Sequence, residues 1–114
     1  MFELDDIQEN TENELEEVVM GLIINAGQAR SLAYTALKKA KEGDFVNAKS
    51  LMAQSHLALN EAHKVQTKLI ESDMGEGRIK VSLVLVHAQD HLMNAMLARE
   101  LIAELIELHE KLER

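Results

Sequence analysis

The sequence predicts an all-α fold, an antiparallel three-helix bundle, on three observations. The 114 residues include no proline and only five glycines, while 46% are hydrophobic. Alanine, leucine, glutamate and lysine, all strong helix formers, are abundant. Apolar residues recur at spacings of three and four through three long stretches, and short glycine-bearing breaks separate those stretches.

The first helical pattern starts near Glu14. Leu15, Val18, Val19, Leu22, Ala26, Ala29, Ala33, Leu37 and Ala40 form its stripe. It ends at Lys41-Glu42-Gly43, where basic residues followed by glycine mark a helix C-terminus. Residues 1–13 are acidic and lack sustained periodicity, and they read as a disordered N-terminal arm ahead of one helical domain over residues 14–114.

Asp44 is placed to cap the second helix by accepting from its free backbone N–H groups. Phe45, Ala48, Leu51, Met52, Ser55, Leu59, Ala62, Val65, Gln66 and Leu69 carry that helix to about Asp73. Gly75-Glu76-Gly77 breaks it. A third helix is expected to begin between Ile79 and Ser82 and to run almost to Arg114. The β-branched run from Val81 to Val86 also suits a strand, but a lone strand has no pairing partner in this chain.

Three helices of about 30 residues, each roughly 45 Å long, make a very elongated domain. Val84, Leu85 and Val86 cannot all face a two-helix surface. Self-association with the third helices towards a symmetry axis is therefore expected; the competing reading is an elongated monomer with scattered surface leucines.

The formal charge of −8, without a dense cluster of arginine and lysine, argues against nucleic acid and anionic membranes. An acidic surface suits a basic protein partner instead. The chain has no cysteine, so disulfide and thiol chemistry are absent. The first basic residue is Arg30 and no apolar run approaches the ~20 residues that span a bilayer. The expectation is a cytoplasmic protein without a secretory signal.

The most informative stretch is His87-Ala88-Gln89-Asp90-His91-Leu92-Met93. His87, Asp90, His91 and Asn94 lie three and four apart and share a helix face between apolar flanks. Two imidazoles one turn apart can chelate zinc, but no third ligand lies nearby and no glutamate follows His87 as in the zinc protease motif. A lone carboxylate suits a hard cation such as magnesium, and copies of Asp90 converging on an axis would need protons or a cation between them. A neutral imidazole is also a competent nucleophile at pH 7 and can take up a phosphoryl group and pass it on. No Gly-rich phosphate loop and no serine triad accompany it. Two bland readings stand beside these: His87 as a satisfied core histidine, and the stripe as a register device in a non-catalytic helical oligomerisation or interaction module. Asp90 pairing with Lys64 or Lys68 of the second helix belongs to the same class.

The chain resembles enzyme IIA of the lactose/cellobiose/diacetylchitobiose class of the bacterial phosphoenolpyruvate-dependent sugar phosphotransferase system (PTS). The resemblance runs from Glu14 to the end. It rests on Asn25-Ala26-Gly27-Gln28-Ala29-Arg30-Ser31, Gly43-Asp44-Phe45, Glu61-Ala62-His63 with Gln66-Thr67, and above all the His87–Met93 stretch. The opening from Glu14 to Asn25 is most similar to the diacetylchitobiose branch. The resemblance implies homotrimers of three-helix subunits. It implies that His87 carries the phosphoryl group, at Nε2, and that Asp90 points to the trimer axis and helps hold a divalent ion, usually magnesium. The donor it implies is the carrier HPr, phosphorylated on histidine. The acceptor is a cysteine of the IIB component, which serves the membrane component IIC. Gln89 and His91 take supporting roles, with Gln89 orienting or contacting His87 and His91 near the phosphoryl group. Ala88 departs from the glycine of many lactose-type members, which points away from that branch.

Overall fold

A computed structural model describes the backbone of residues 4–113 and the side chains of residues 14–113. Three helices follow one another, α1 (Leu4–Lys41), α2 (Phe45–Asp73) and α3 (Leu83–Leu112). No strand occurs among the described residues, and Val84 to Val86 are helical. The bundle is elongated, with extents of 69 × 25 × 19 Å. Among the described residues, no helix is long and apolar enough to cross a membrane.

The start of α1 differs from the reading of the sequence. Helical backbone begins at Leu4, ahead of Glu14, so residues 4–13 continue the helix instead of forming an irregular arm. Acidic residues favour a helix N-terminus through the helix dipole, and neither proline nor glycine interrupts the chain before Gly21. Residues 1–3, and the side chains of the whole proposed arm, lie outside the described residues.

The two connections follow from local chemistry. At the end of α1, Asp44 N–H donates to the Lys39 carbonyl at 2.9 Å and Gly43 N–H to Ala40 at 3.0 Å. This is a Schellman motif, and its left-handed position falls on Gly43, at φ 83°. Asp44 then serves the next helix at once. Its carboxylate accepts from Asn47 N–H at 3.2 Å and from Asn47 Nδ2 at 2.6 Å. One residue thus closes α1 and opens α2, which forces the antiparallel turn.

The second connection is longer and is held by Asp73. Its carboxylate accepts from Ile79 N–H at 2.8 Å and from Gly77 N–H at 3.3 Å. Met74 ends α2 in the left-handed region at φ 54°, and Gly75 and Gly77 also have positive φ. Ser82 caps α3 by accepting from Leu85 N–H at 3.2 Å.

Helix α1 is the spine and packs along both other helices. Its core face is mostly alanine: Ala26, Ala29, Ala33, Ala36 and Ala40 are all buried. Small side chains let the helices approach closely, and α2 answers with Ala48, Ser55 and Ala62. Ser55 donates to the Ala29 carbonyl at 2.6 Å, satisfying the one buried polar side chain among the described residues. One core layer, around Met52, Ile102 and Ile106, fills the end near the first turn. The other joins Val19, Leu22 and Leu69 to Leu85, Ala88, Leu92 and Ala95 of α3. That second layer fixes the part of α3 that contains the polar stripe. Ion pairs such as Lys64–Glu61 at 3.6 Å are exposed and add little.

Leu92→Ala should cost ~2–5 kcal/mol in chemical denaturation, because a fully buried side chain is lost from a filled layer. Acid should act through the two turns. The Asp73 carboxyl is held below its ordinary value chiefly by the Ile79 N–H, and Asp44 by the Asn47 side chain and N–H. A depressed folded-state pKa contributes stability above the unfolded carboxyl's value and loses it as pH falls through the folded one. Asp73→Ala should therefore lower the thermal midpoint at neutral pH. Its deficit against wild type should shrink in a pH series taken below the carboxylate range.

Candidate phosphoryl-transfer site

Helix periodicity assigns each residue of the His87–Asn94 stretch a direction. Leu85, Ala88, Leu92 and Ala95 take the core face. His87 and Asp90 are displaced from it and are exposed, and His91 is half-buried between them and the core. The competing reading of His87 as a satisfied core histidine is thus excluded. The stripe has apolar neighbours, but α3 carries apolar residues on more than one side, and His87 belongs to the uncovered one. Val84 and Val86 are 41% and 48% exposed while Leu85 between them is 5% exposed.

His87 lies past the first turn of α3, whose cap is Ser82. The neighbour of His87 is His91. The two imidazoles are stacked with centroids 5.9 Å apart and planes within 17°. His91 in turn lies against α1 at Gly27: a Cβ built on that glycine would stand 3.3 Å from His91 Nε2. A chain of contact therefore runs from the α1 backbone through His91 to His87. Gly27 is the residue whose role sequence reasoning missed. The available signal was a glycine in mid-helix, a position where it costs about 1 kcal/mol relative to alanine.

Gln89 is not brought to His87 within the chain. Residues two apart do not share a helix face. Gln89 is half-buried and lines a groove of about 240 Å³ with Leu69, Asp73, Ile79 and Leu85. Asp90 does not pair with Lys64 or Lys68; its carboxylate accepts from Asn94 Nδ2 at 3.3 Å. It stands in an exposed, mainly apolar face of α3 that includes Val86, Met93, Leu97, Leu101 and Leu108, together with Asn94 and Glu104. Among the described residues of one chain, no three His, Cys, Asp or Glu side chains gather into a metal site. A cation at Asp90 would need carboxylates from further copies.

The family model described as "PTS system, Lactose/Cellobiose specific IIA subunit" matches residues 17–110. The chain belongs to this family. It is 75% identical over 114 residues to the N,N'-diacetylchitobiose-specific EIIA component of Escherichia coli K12, covering 98% of each. It is 40% identical over 99 residues to the lichenan-specific phosphotransferase enzyme IIA component of Bacillus subtilis, covering 87% of this chain and 90% of that protein. Among solved structures it is similar to the IIA(chitobiose)–HPr complex of the Escherichia coli N,N'-diacetylchitobiose branch, with TM-score 0.78 and 78% identity, covering 88% of this chain and 97% of that one. It also matches the cellobiose-specific enzyme IIA of Bacillus anthracis, with TM-score 0.82 and 41% identity, covering 99% and 94%.

The difference in exposure has a chemical consequence. A histidine-selective acylating reagent should modify His87 faster than His91 in peptide mapping; faster modification of His91 would contradict this placement.

Proposed function

We propose that this IIA protein is a phosphoryl carrier of the PTS, and that His87 is the residue that carries the group. The carrying observation is an exposed imidazole stacked on a second, inside the motif on which the family resemblance rests. Phospho-HPr is the donor and a cysteine of the IIB component the acceptor. The system's substrate is a β-linked disaccharide of the diacetylchitobiose or cellobiose type, with which this chain makes no contact, because specificity for sugar belongs to the membrane component.

The mechanism needs little covalent help. The His87 lone pair attacks phosphorus as the bond to the HPr histidine breaks, and the thiolate of IIB later reverses the roles. The transferred group is loosely held in the transition state, so positioning and shielding from water matter most. His91, near the phosphoryl group, donates to its oxygens or orients the His87 ring. Gln89 lines a groove on the other side of α3 and takes no part at His87 within its own chain. Exposed Leu83 and Val84, one turn before His87 on its own face, supply an apolar surround from which a docked partner expels water.

The assembly we propose is a homotrimer with the apolar face of α3 towards the axis. Asp90 from each subunit would then hold a divalent cation, with magnesium favoured by an all-oxygen donor set. The cation would neutralise carboxylates that otherwise repel within a low-dielectric interface. It would have no part in phosphoryl transfer. The expected compartment is the cytoplasm, where HPr is found.

Intact mass spectrometry after incubation with phosphoenolpyruvate, enzyme I and HPr tests the carrier. Wild type should gain one acid-labile phosphoryl group and His87→Gln none, with the oligomer intact. Phosphorylation of that variant would move the site elsewhere. Neither protein gaining the group would favour the interaction module. For the axis, Asp90→Leu should give a trimer indifferent to chelator, and dissociation of that variant would contradict repulsion at the axis.

A further inference from the structure

Two glycines lie in mid-helix in the described part of α1, and they have different surroundings. A Cβ at Gly21 would meet nothing within 4 Å. A Cβ at Gly27 would meet His91 Nε2 at 3.3 Å, tighter than ordinary van der Waals contact. Helix propensity disfavours both glycines equally, so their cost is the same and only Gly27 has a neighbour that uses the missing side chain. That neighbour is half-buried between α1 and α3 and is stacked against the proposed phosphoryl-carrying ring. Core packing limits where α1 can go: Ala26 and Ala29 flank Gly27 in sequence, and both are fully buried. With α1 fixed in this way, a methyl group at residue 27 would be accommodated by the imidazole and not by the helix.

We propose that Gly27 is a positioning residue for phosphoryl transfer: its bare Cα leaves the space in which the His91 ring lies, and His91 holds the plane of the His87 ring. This rests on His87 being the phosphoryl carrier. Gly27 touches neither the phosphoryl group nor a partner's histidine and acts only through His91. The stack orients a ring that its position on the exposed side of α3 would otherwise leave free to rotate. Small displacements matter in such a transfer, since a misplacement of about 1 Å costs up to ~100-fold in rate. A shift of a few tenths of an ångström should cost about three- to tenfold.

The test compares Gly27→Ala with Gly21→Ala, which makes the same change of helix propensity without the contact. Both should melt no lower than wild type. Only Gly27→Ala should slow phosphorylation by phospho-HPr in rapid-mixing experiments, about three- to tenfold. It should also move the imidazole ¹⁵N resonances of His91 and His87, which a purely structural effect at α1 would leave in place. In the His91→Ala background the Gly27→Ala change should have no further effect on rate, because the ring it displaces is absent. Gly27→Ala transferring at the wild-type rate with unmoved resonances overturns the proposal, as does an undiminished effect in the His91→Ala background. His87→Gln is run in parallel. If it still accepts phosphate, the carrier assignment has failed; if it does not, a silent Gly27→Ala counts against the positioning role alone.

Discussion

The close approach of α1 to its neighbours is the constraint on which the rest of the structure depends. An alanine face from Ala26 to Ala40 lets the backbones come together, and Ser55 donates across the gap to a main-chain carbonyl. Close packing of small residues leaves little room for a helix to rotate or slide. The rotation of α3 is therefore set by Ala88, Leu92 and Ala95 against this spine. Once those three face inward, His87 must face outward, His91 must sit at the seam, and Gln89 must turn to the far side. The site owes its geometry to core residues that carry no chemistry.

That logic explains what was legible in the sequence. Three helices and both breaks could be read from apolar spacing and glycine, because a buried face and a left-handed turn each leave a direct mark. Asp44 as a cap was readable for the same reason: a short carboxylate after a Lys-Glu-Gly end has one obvious use. The start of α1 was not, since the residues ahead of Glu14 have no sustained apolar period to mark a helix. The exposure of His87 was also hidden. When a helix carries apolar residues all round, as α3 does at Val84, Leu85 and Val86, spacing says which residues share a face but not which face is covered. The family resemblance pointed to His87, while the residue pattern alone favoured the core. Gln89 illustrates the converse: its distance from His87 follows from helix geometry, and a motif read as a string conceals it.

The two apolar faces of α3 are placed differently. One is covered within the chain; the other, around Asp90, Leu97, Leu101 and Leu108, is bare in a single subunit. A largely apolar exposed face of this kind marks an interaction surface. A carboxylate in its midst makes the surface particular, because burying a charge without compensation costs more than the surrounding leucines return. Copies of the same carboxylate can be buried together only with something positive between them. Self-assembly and cation binding are thus, in the proposed trimer, two descriptions of one interface.

A carrier must also let go. Each charged group that grips a phosphoryl group in the ground state deepens the well from which it must next be removed, and uniform binding of that kind does not speed transfer. The ion pairs of the described residues lie elsewhere, at Lys39–Glu42, Lys49–Glu110, Lys64–Glu61, Arg78–Glu76 and Lys111–Glu107. His87 is stacked on another imidazole, which itself lies against a glycine. In the proposed carrier such a stack orients the nucleophile without an ion pair at the ring. The reaction can then run towards whichever partner is docked, the direction being set by the donors and acceptors in the cell instead of by the carrier.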